Sequence, residues 1–142
     1  MPIFEPSPAE LAAAQPLISW LNDAPPAEVA VELMPAFGPG GAVTGETGIS
    51  RDRLIGWIFR EYPKPGALGG GIFTVNTAAS YPVAKPVSEA LQLLEHSELV
   101  MFDPWFDQNY PQLAWVATRQ GLATLSSGKA AVRQRIADRT GL

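Results

Sequence analysis

Few residues in this chain of 142 are of the types that perform catalysis at neutral pH. The chain has no cysteine, which excludes disulfides, thiol nucleophiles and cysteine zinc sites. His96 is the single histidine, so a multi-histidine metal site is excluded as well. Neighbouring helical positions point about 100° apart, so Glu95 and His96 do not form an acid–base pair. We expect His96 at a helix end, where a positive charge suits the helix dipole.

The motifs that most resemble known ligand-binding loops lack the residues that such loops need. Residues 40–47 have the spacing of a phosphate-binding loop, but Glu46 stands where that loop requires lysine and would repel phosphate. The glycines of 66–71 do not form a dinucleotide fingerprint and indicate a connector. Asp103 and Asp107 lack a third nearby acid and the spacing of a calcium loop, so they are interpreted as turn residues. The sequence therefore predicts a protein that is not an enzyme and has no metal or cofactor.

Composition predicts a globular chain. Hydrophobic residues make up 46% and charged residues 17%, which is enough apolar material for one core. The length suits one domain, or one domain with a helical lead-in. The sequence has no apolar run of about 18 residues and no basic, apolar leader at its start, so we expect a cytoplasmic protein. The abundance of Ala, Gly and Pro suggests a bacterial or phage source.

Charge is distributed unevenly along the chain. Residues 1–50 carry six carboxylates and no Lys or Arg, whereas the basic segment, residues 119–142, carries five bases and one acid. A basic surface of this kind suits nucleic acid. The alternative is that the basic segment packs against the acidic half of the chain, or against the acidic half of another copy.

Proline, glycine and apolar spacing predict five longer helices. Ser7 and Pro8 start the first helix, which should run to Leu21 and be kinked or split at Pro16. Ser50 should cap the third helix. The other helices are expected at 26–35, 51–62, 86–98 and 129–139, with a loop at 37–49 and an irregular segment at 63–86 that holds a short strand at 72–75.

The second half of the chain predicts two strands and a short helix. The strands are expected at 99–102 and 112–117, with 103–111 as the loop between them. Thr118 should cap a short helix in which Leu122 and Leu125 face the core.

The order helix, strand, loop, strand, helix over residues 86–139 resembles the back half of a bacterial winged-helix domain. Residues 91–100, Leu-Gln-Leu-Leu-Glu-His-Ser-Glu-Leu-Val, are similar to the phrase that joins helix to wing in such domains. Residues 118–125 match a threonine-x-x-glycine-x-x-x-leucine phrase found in regulators of the MarR and PadR kinds. We therefore expect a mainly α fold with a small β-hairpin (α+β). It would be a winged-helix-like domain over 51–142, preceded by a helical N-terminal segment over 1–50 that packs on the same core.

The resemblance implies that helix 86–98 is a recognition helix and the strand pair is a wing, as in DNA-binding regulators. DNA contacts would then come from Lys85, Ser88, Gln92, Arg119, Lys129 and Arg133. However, the helix also carries Glu89, Glu95 and Glu98, and the wing carries Asp103 and Asp107. Carboxylates repel phosphates, so the charge pattern disfavours DNA.

We therefore expect a non-enzymatic protein that acts through contacts with a protein partner or within a homodimer. The candidate contact residues are the aromatic side chains Trp105, Phe106 and Tyr110, together with Asp103 and Asp107, because aromatic residues are enriched at interface hot spots. The alternative is that Trp105 or Phe106 covers the core beside Trp115. A DNA-binding regulator, or an enzyme with a pocket lined by Trp57, Glu61 and Tyr62, are the other interpretations.

Overall fold

The computed structural model describes residues 8–42, 48–61, 81–103, 105–107 and 110–141. It confirms a mainly α fold with a small antiparallel β component. The helices in this part of the chain are α1 (Pro8–Asp23), α2 (Pro26–Leu33), a short 3-10 helix (Met34–Phe37), α3 (Arg51–Glu61), α4 (Tyr81–His96), α5 (Arg119–Ser126) and α6 (Lys129–Thr140). The strands are β1 (Val100–Phe102), β2 (Trp105–Asp107), β3 (Tyr110–Gln112) and β4 (Trp115–Ala117). The expected strand at 72–75 lies outside the described residues.

Helix α4 is the central helix of the core, because four other helices and one strand cover its apolar face. Helices α1, α2, α3 and α6 and strand β1 all pack against it. The stripe consists of Val83, Val87, Ala90, Leu91 and Leu94, each at most 2% exposed. One hydrophobic cluster includes residues from both sides of position 50, such as Leu33 in α2 and Ile58 in α3.

The structure differs from expectation at two prolines: of the predicted kink or split at Pro16 the split is absent, and the helix expected from residue 86 begins earlier. Helix α1 continues through Pro16 and is not split there. The N–H that Pro16 lacks would have donated to the carbonyl of Ala12, and both residues are exposed, so water can satisfy that carbonyl. Helix α4 begins at Tyr81, five residues before Pro86. Pro82 occupies the first turn, where an N–H has no acceptor within the helix, and Val83 extends the buried stripe by one turn.

The four strands form a hairpin with a single register. Val100 pairs with Ala117 and Phe102 with Trp115, while Trp105 pairs with Gln112 in the outer part. Between the two parts, the N–H of Asp103 donates to the carbonyl of Ala114 at 2.8 Å. The expectation of a loop over 103–111 and of one strand over 112–117 is therefore wrong. The turn-forming Asp, Asn and Pro residues suggested a loop, but the aromatic residues between them favour paired strands.

Ile49 adds a third backbone segment beside β4. Its N–H and carbonyl exchange hydrogen bonds with Trp115 at 2.8 and 2.9 Å. Ser50 follows at once, and its Oγ accepts from the N–H of Arg53 at 3.1 Å, which confirms the predicted cap of α3. The start of α3 is thus held against the hairpin, and this contact positions the site described below.

The start of α5 confirms two expectations and corrects one. Thr118 caps the helix, because its Oγ1 accepts from the N–H of Gly121 at 2.8 Å. A Cβ at Gly121 would overlap the carbonyl oxygen of Leu99, so glycine is required for this close approach. Leu125 packs against the core as expected, partly buried. Leu122 was also expected to face the core but is 45% exposed, and Gly121 and Thr124 are the buried positions of α5. The helix turns its small residues inward because the backbone of Leu99 is so near.

The carboxyl end of α4 is closed by α6. Glu98 adopts a positive φ of 61°, and the N–H of Leu99 donates to the carbonyl of Leu94 at 3.0 Å. A left-handed conformation costs a non-glycine residue about 1–2 kcal/mol. The Glu98 carboxylate forms ion pairs with Arg135 and Arg139, and Nε of Arg135 donates to the Ser97 carbonyl at 3.0 Å. These contacts join α6 to the residues that connect α4 to β1.

Replacing Gly121 with alanine should destabilise the protein by about 1–3 kcal/mol or more, because the added methyl group has no space beside the backbone of Leu99. The free energy of unfolding is measured by urea denaturation. Arg119→Ala, in the exposed first turn of the same helix, is the control and should change stability by about 0.5 kcal/mol or less. Equal effects of the two substitutions would contradict the close approach of α5 to Leu99.

Candidate binding cleft

A cleft of about 650 Å³ lies between the start of α3, the exposed face of α4 and one face of the hairpin. We call it the α4–hairpin cleft. It is lined by Ser50, Arg51, Asp52, Lys85, Ser88, Glu89, Leu91, Gln92, Glu95, Leu113 and Trp115. This volume is in the range of sites that bind small molecules or side chains of a partner.

The polar wall of the cleft is the exposed stripe of α4. Lys85, Ser88, Glu89, Gln92 and Glu95 recur at spacings of three and four residues, so they share one face of the helix. The opposite face of α4 is the apolar stripe that forms the core. The amphipathic pattern of the sequence therefore determines which side chains line the cleft.

The start of α3 contributes a cation, Arg51, that already contacts two side chains of the protein. Nη1 of Arg51 donates to Oγ of Ser88 at 3.4 Å, and Nε of Arg51 lies 3.8 Å from Oδ1 of Asp52. The contact with Ser88 joins α3 to α4 across the cleft. Arg51 thus has its charge partly balanced by Asp52 before any ligand binds.

The apolar wall of the cleft belongs to the hairpin. Nε1 of Trp115 donates to Oε1 of Glu95 at 2.6 Å, which ties the hairpin to α4. The ring of Phe102 meets that of Trp115 edge to face, with centroids 5.3 Å apart and planes at 62°. Leu113 is 59% exposed and lies two residues before Trp115 on the same face of the ribbon. These three residues form an apolar surface that sequence reasoning did not select.

The cleft brings together three of the six residues selected for the DNA-binding alternative. Lys85, Ser88 and Gln92 line it. Arg119 lies on α5, while Lys129 and Arg133 lie on α6, and none of these three lines the cleft. The cleft therefore contains only half of the six residues.

The basic segment packs against acidic residues of the N-terminal half. Nζ of Lys129 lies 2.7 Å from Oε2 of Glu32. The Arg133 guanidinium donates two hydrogen bonds to Glu28, at 2.8 and 3.1 Å, and these raise the pKa of Arg133 above its usual value. With Arg135 and Arg139 paired to Glu98, four of the five bases of the segment are in ion pairs with carboxylates.

The residues expected to contact a protein partner all belong to the hairpin. Asp103 is exposed, and its N–H donates within the ribbon. The backbones of Trp105, Phe106, Asp107 and Tyr110 belong to the outer strands, while their side chains lie outside the described part of the structure. The described apolar exposure of the hairpin comes from Met101, Phe102 and Leu113, which are 49%, 43% and 59% exposed.

The pocket considered for an enzyme is not assembled within the described residues. Trp57 is half-buried and packs against the core, and the Glu61 side chain and Tyr62 lie outside the described part. The same holds for residues 43–47 of the phosphate-loop-like segment and for 66–71. His96 is exposed at the end of α4, as expected. In the described ranges, no three His, Asp or Glu side chains lie close enough to hold a metal ion.

None of the described helices combines the length and the hydrophobicity that are needed to cross a lipid bilayer. No family model matches the chain, and searches of curated proteins and of solved structures find no match.

We expect Trp115 and Glu95 to be energetically coupled. Trp115→Phe removes the indole N–H and Glu95→Gln removes the charge of its acceptor, so each should lower the free energy of unfolding by about 1–2 kcal/mol. The double variant should lose less than the sum of the two, by about 0.5–1.5 kcal/mol. Urea denaturation of the four proteins provides the cycle. Strict additivity would show that the contact between hairpin and α4 does not hold in solution.

Proposed function

We propose that this protein is a non-enzymatic, winged-helix-like module that binds a protein partner in the α4–hairpin cleft. The order α3, α4, β1, β4, α5 supports the winged-helix part of the proposal, as does the antiparallel hairpin that directly follows α4. In such domains the exposed face of this helix and the adjoining strands are the recognition surface. The cleft occupies that surface.

The charge of the cleft is the observation that carries the proposal. Its lining holds three carboxylates, Asp52, Glu89 and Glu95, and two bases, of which Arg51 is already paired. DNA presents one negative charge about every 1.7 Å of duplex, so a recognition surface of this charge is repelled by it. The bases of α6, which could have offset the negative charge of the cleft, are in ion pairs with α2 and with Glu98.

The apolar wall supports a protein partner. Leu113 and Trp115 line the cleft together with the polar side chains of α4, and the exposed Phe102 packs on the ring of Trp115. An aromatic and aliphatic centre with a polar rim is the usual anatomy of a protein interface.

DNA binding remains the second candidate because Lys85, Ser88 and Gln92 share the exposed face of α4. The two functions are distinguished by fluorescence anisotropy with a random-sequence duplex, at low salt and at about 200 mM salt. We expect no binding by the unmodified protein. Binding at low salt that falls steeply with salt would overturn the proposal.

A charge-reversal variant tests whether the acidic cleft is the cause. Glu89→Lys with Gln92→Lys should create weak, salt-sensitive binding, because α4 then presents three lysines. The control carries the same change in net charge on α5, α6 and the turn between them, as Ala123→Lys, Ser127→Lys and Ala130→Lys, all of which are exposed positions. Equal DNA binding by the two variants would show that DNA binding depends on net charge and not on the charge of the cleft.

The protein partner is sought by placing a photo-crosslinking amino acid at Gln92, in the cleft, or at Ala130 on α6, in the full chain within its own cells. We expect an adduct from Gln92 that protease digests and nuclease does not, and that is lost in Trp115→Leu. Position 130 should give no such adduct. A nuclease-sensitive adduct at position 92 would contradict the proposal.

A further inference from the structure

We propose that the α4–hairpin cleft binds an arginine or lysine side chain of its partner, beside Trp115 and between Glu89 and Glu95. The inference rests on the proposed function and names the chemistry that the site would recognise. It depends on four observations: the fixed ring of Trp115, the α4 carboxylates of Glu89 and Glu95 that can still accept a cation, the contacts that Arg51 already makes, and the exposed apolar side chain of Leu113.

Trp115 is held in place before any partner arrives. Its indole N–H donates to Glu95 at 2.6 Å, and its ring packs edge to face with Phe102 at a centroid distance of 5.3 Å. A fixed aromatic ring loses little side-chain entropy on binding. Aromatic rings attract cations through their quadrupole, and tryptophan does so most strongly.

Two carboxylates beside the ring have capacity for a cation. Glu89 is exposed and has no ion-pair partner among the described residues. Glu95 accepts the indole N–H through one oxygen, and a carboxylate has about four lone-pair positions in all, so acceptor capacity remains. Glu89 and Glu95 are six residues apart, which is about 9 Å along the helix axis and about 120° around it. A cation near Gln92, midway between them, therefore interacts electrostatically with both carboxylates without contacting both at once.

The bases of the cleft do not fill this position. Arg51 is bound to Asp52 and Ser88. Lys85 is ten residues from Glu95, or about 15 Å along the helix axis, so it lies at the opposite end of the α4 stripe. The pairing of Lys85 with Glu89 would have lysine N-terminal to glutamate, the less favourable orientation on a helix. The cation site at the Glu95 end therefore stays open to a partner.

Leu113 extends the site toward solvent. It is 59% exposed and lines the cleft next to Trp115. The methylene groups of arginine and lysine bury readily against apolar surface while the charged end stays hydrated. A partner segment with a basic residue next to an apolar one thus matches both the charge and the apolar wall.

The test uses the full-length protein and a bead library of 12-residue peptides with all residue types at each position. We expect selected peptides to be enriched in Arg or Lys beside an apolar residue. The best peptide is then compared with a version in which citrulline replaces arginine, which has nearly the same shape but no charge. Fluorescence anisotropy should show about tenfold weaker binding of the citrulline peptide, from loss of the cation–π contact and the ion pair together.

Variants of the protein locate the contact. Glu89→Gln should weaken binding of the arginine peptide about two- to fivefold and leave binding of the citrulline peptide unchanged. Asp138→Asn, which removes one carboxylate from the exposed face of α6, is the matched control and should change neither. Thermal unfolding of each variant confirms that it is folded.

The remaining outcomes separate this inference from the proposed function. The arginine and citrulline peptides could bind the protein equally well, and both could fail to bind the Trp115→Leu variant. That result would overturn the cation site and leave the proposed protein-binding function in place. If no peptide of the library binds the protein, the cation site is overturned as well. A nuclease-sensitive crosslink at Gln92 overturns both.

Discussion

The fold is organised around burial of the apolar stripe of α4, which runs from Val83 to Leu94. Helices α1, α2, α3 and α6 pack on this stripe and remove it from solvent. Each fully buried aliphatic side chain of the stripe contributes about 1.5–3 kcal/mol. Because one face of α4 is buried from so many directions, its other face is left to solvent. The polar stripe from Lys85 to Glu95 is therefore a consequence of the core and not an independent feature.

The hairpin completes the site because the end of α4 is fixed. The positive φ of Glu98, the arginines of α6 and the cap of α5 at Thr118 all act within a few residues of β1. They set the direction in which the chain leaves the helix, so that β4 returns beside α4. Trp115 can then donate to Glu95, and an amphipathic helix face becomes one wall of a cleft.

Electrostatics inside the molecule decide which charges are left for a partner. The sequence has an acidic first half and a basic end, and the fold places α6 against α2, so that Lys129 and Arg133 meet Glu32 and Glu28. These exposed pairs contribute little to stability. Their effect on function is larger, because they balance the bases that could have attracted nucleic acid, whereas Glu89 stays unpaired among the described residues.

Local signals in the sequence determined the caps, the helices and the acidic face of α4. Ser50 and Thr118 cap the helices that they were expected to cap, and the spacing of Val87, Leu91 and Leu94 identified the buried stripe. These features depend on interactions between residues near each other in the chain, which periodicity and residue type reveal. Proline misled the prediction of where α4 begins, and Pro16 does not split α1, because solvent or burial compensates for a missing N–H in ways that residue type does not show.

Only the tertiary structure decided where the cleft lies and which apolar residues line it. The sequence directed attention to Trp105, Phe106 and Tyr110 because they are clustered. Strand pairing and the contact with Glu95 instead make Trp115 and Leu113 the hairpin side of the cleft, with Phe102 packed on Trp115. Leu122 was expected inside and is exposed because Gly121 lies against the Leu99 carbonyl. Pairing register and close backbone approach depend on residues far apart in the chain, so the order of residue types along the sequence does not determine them.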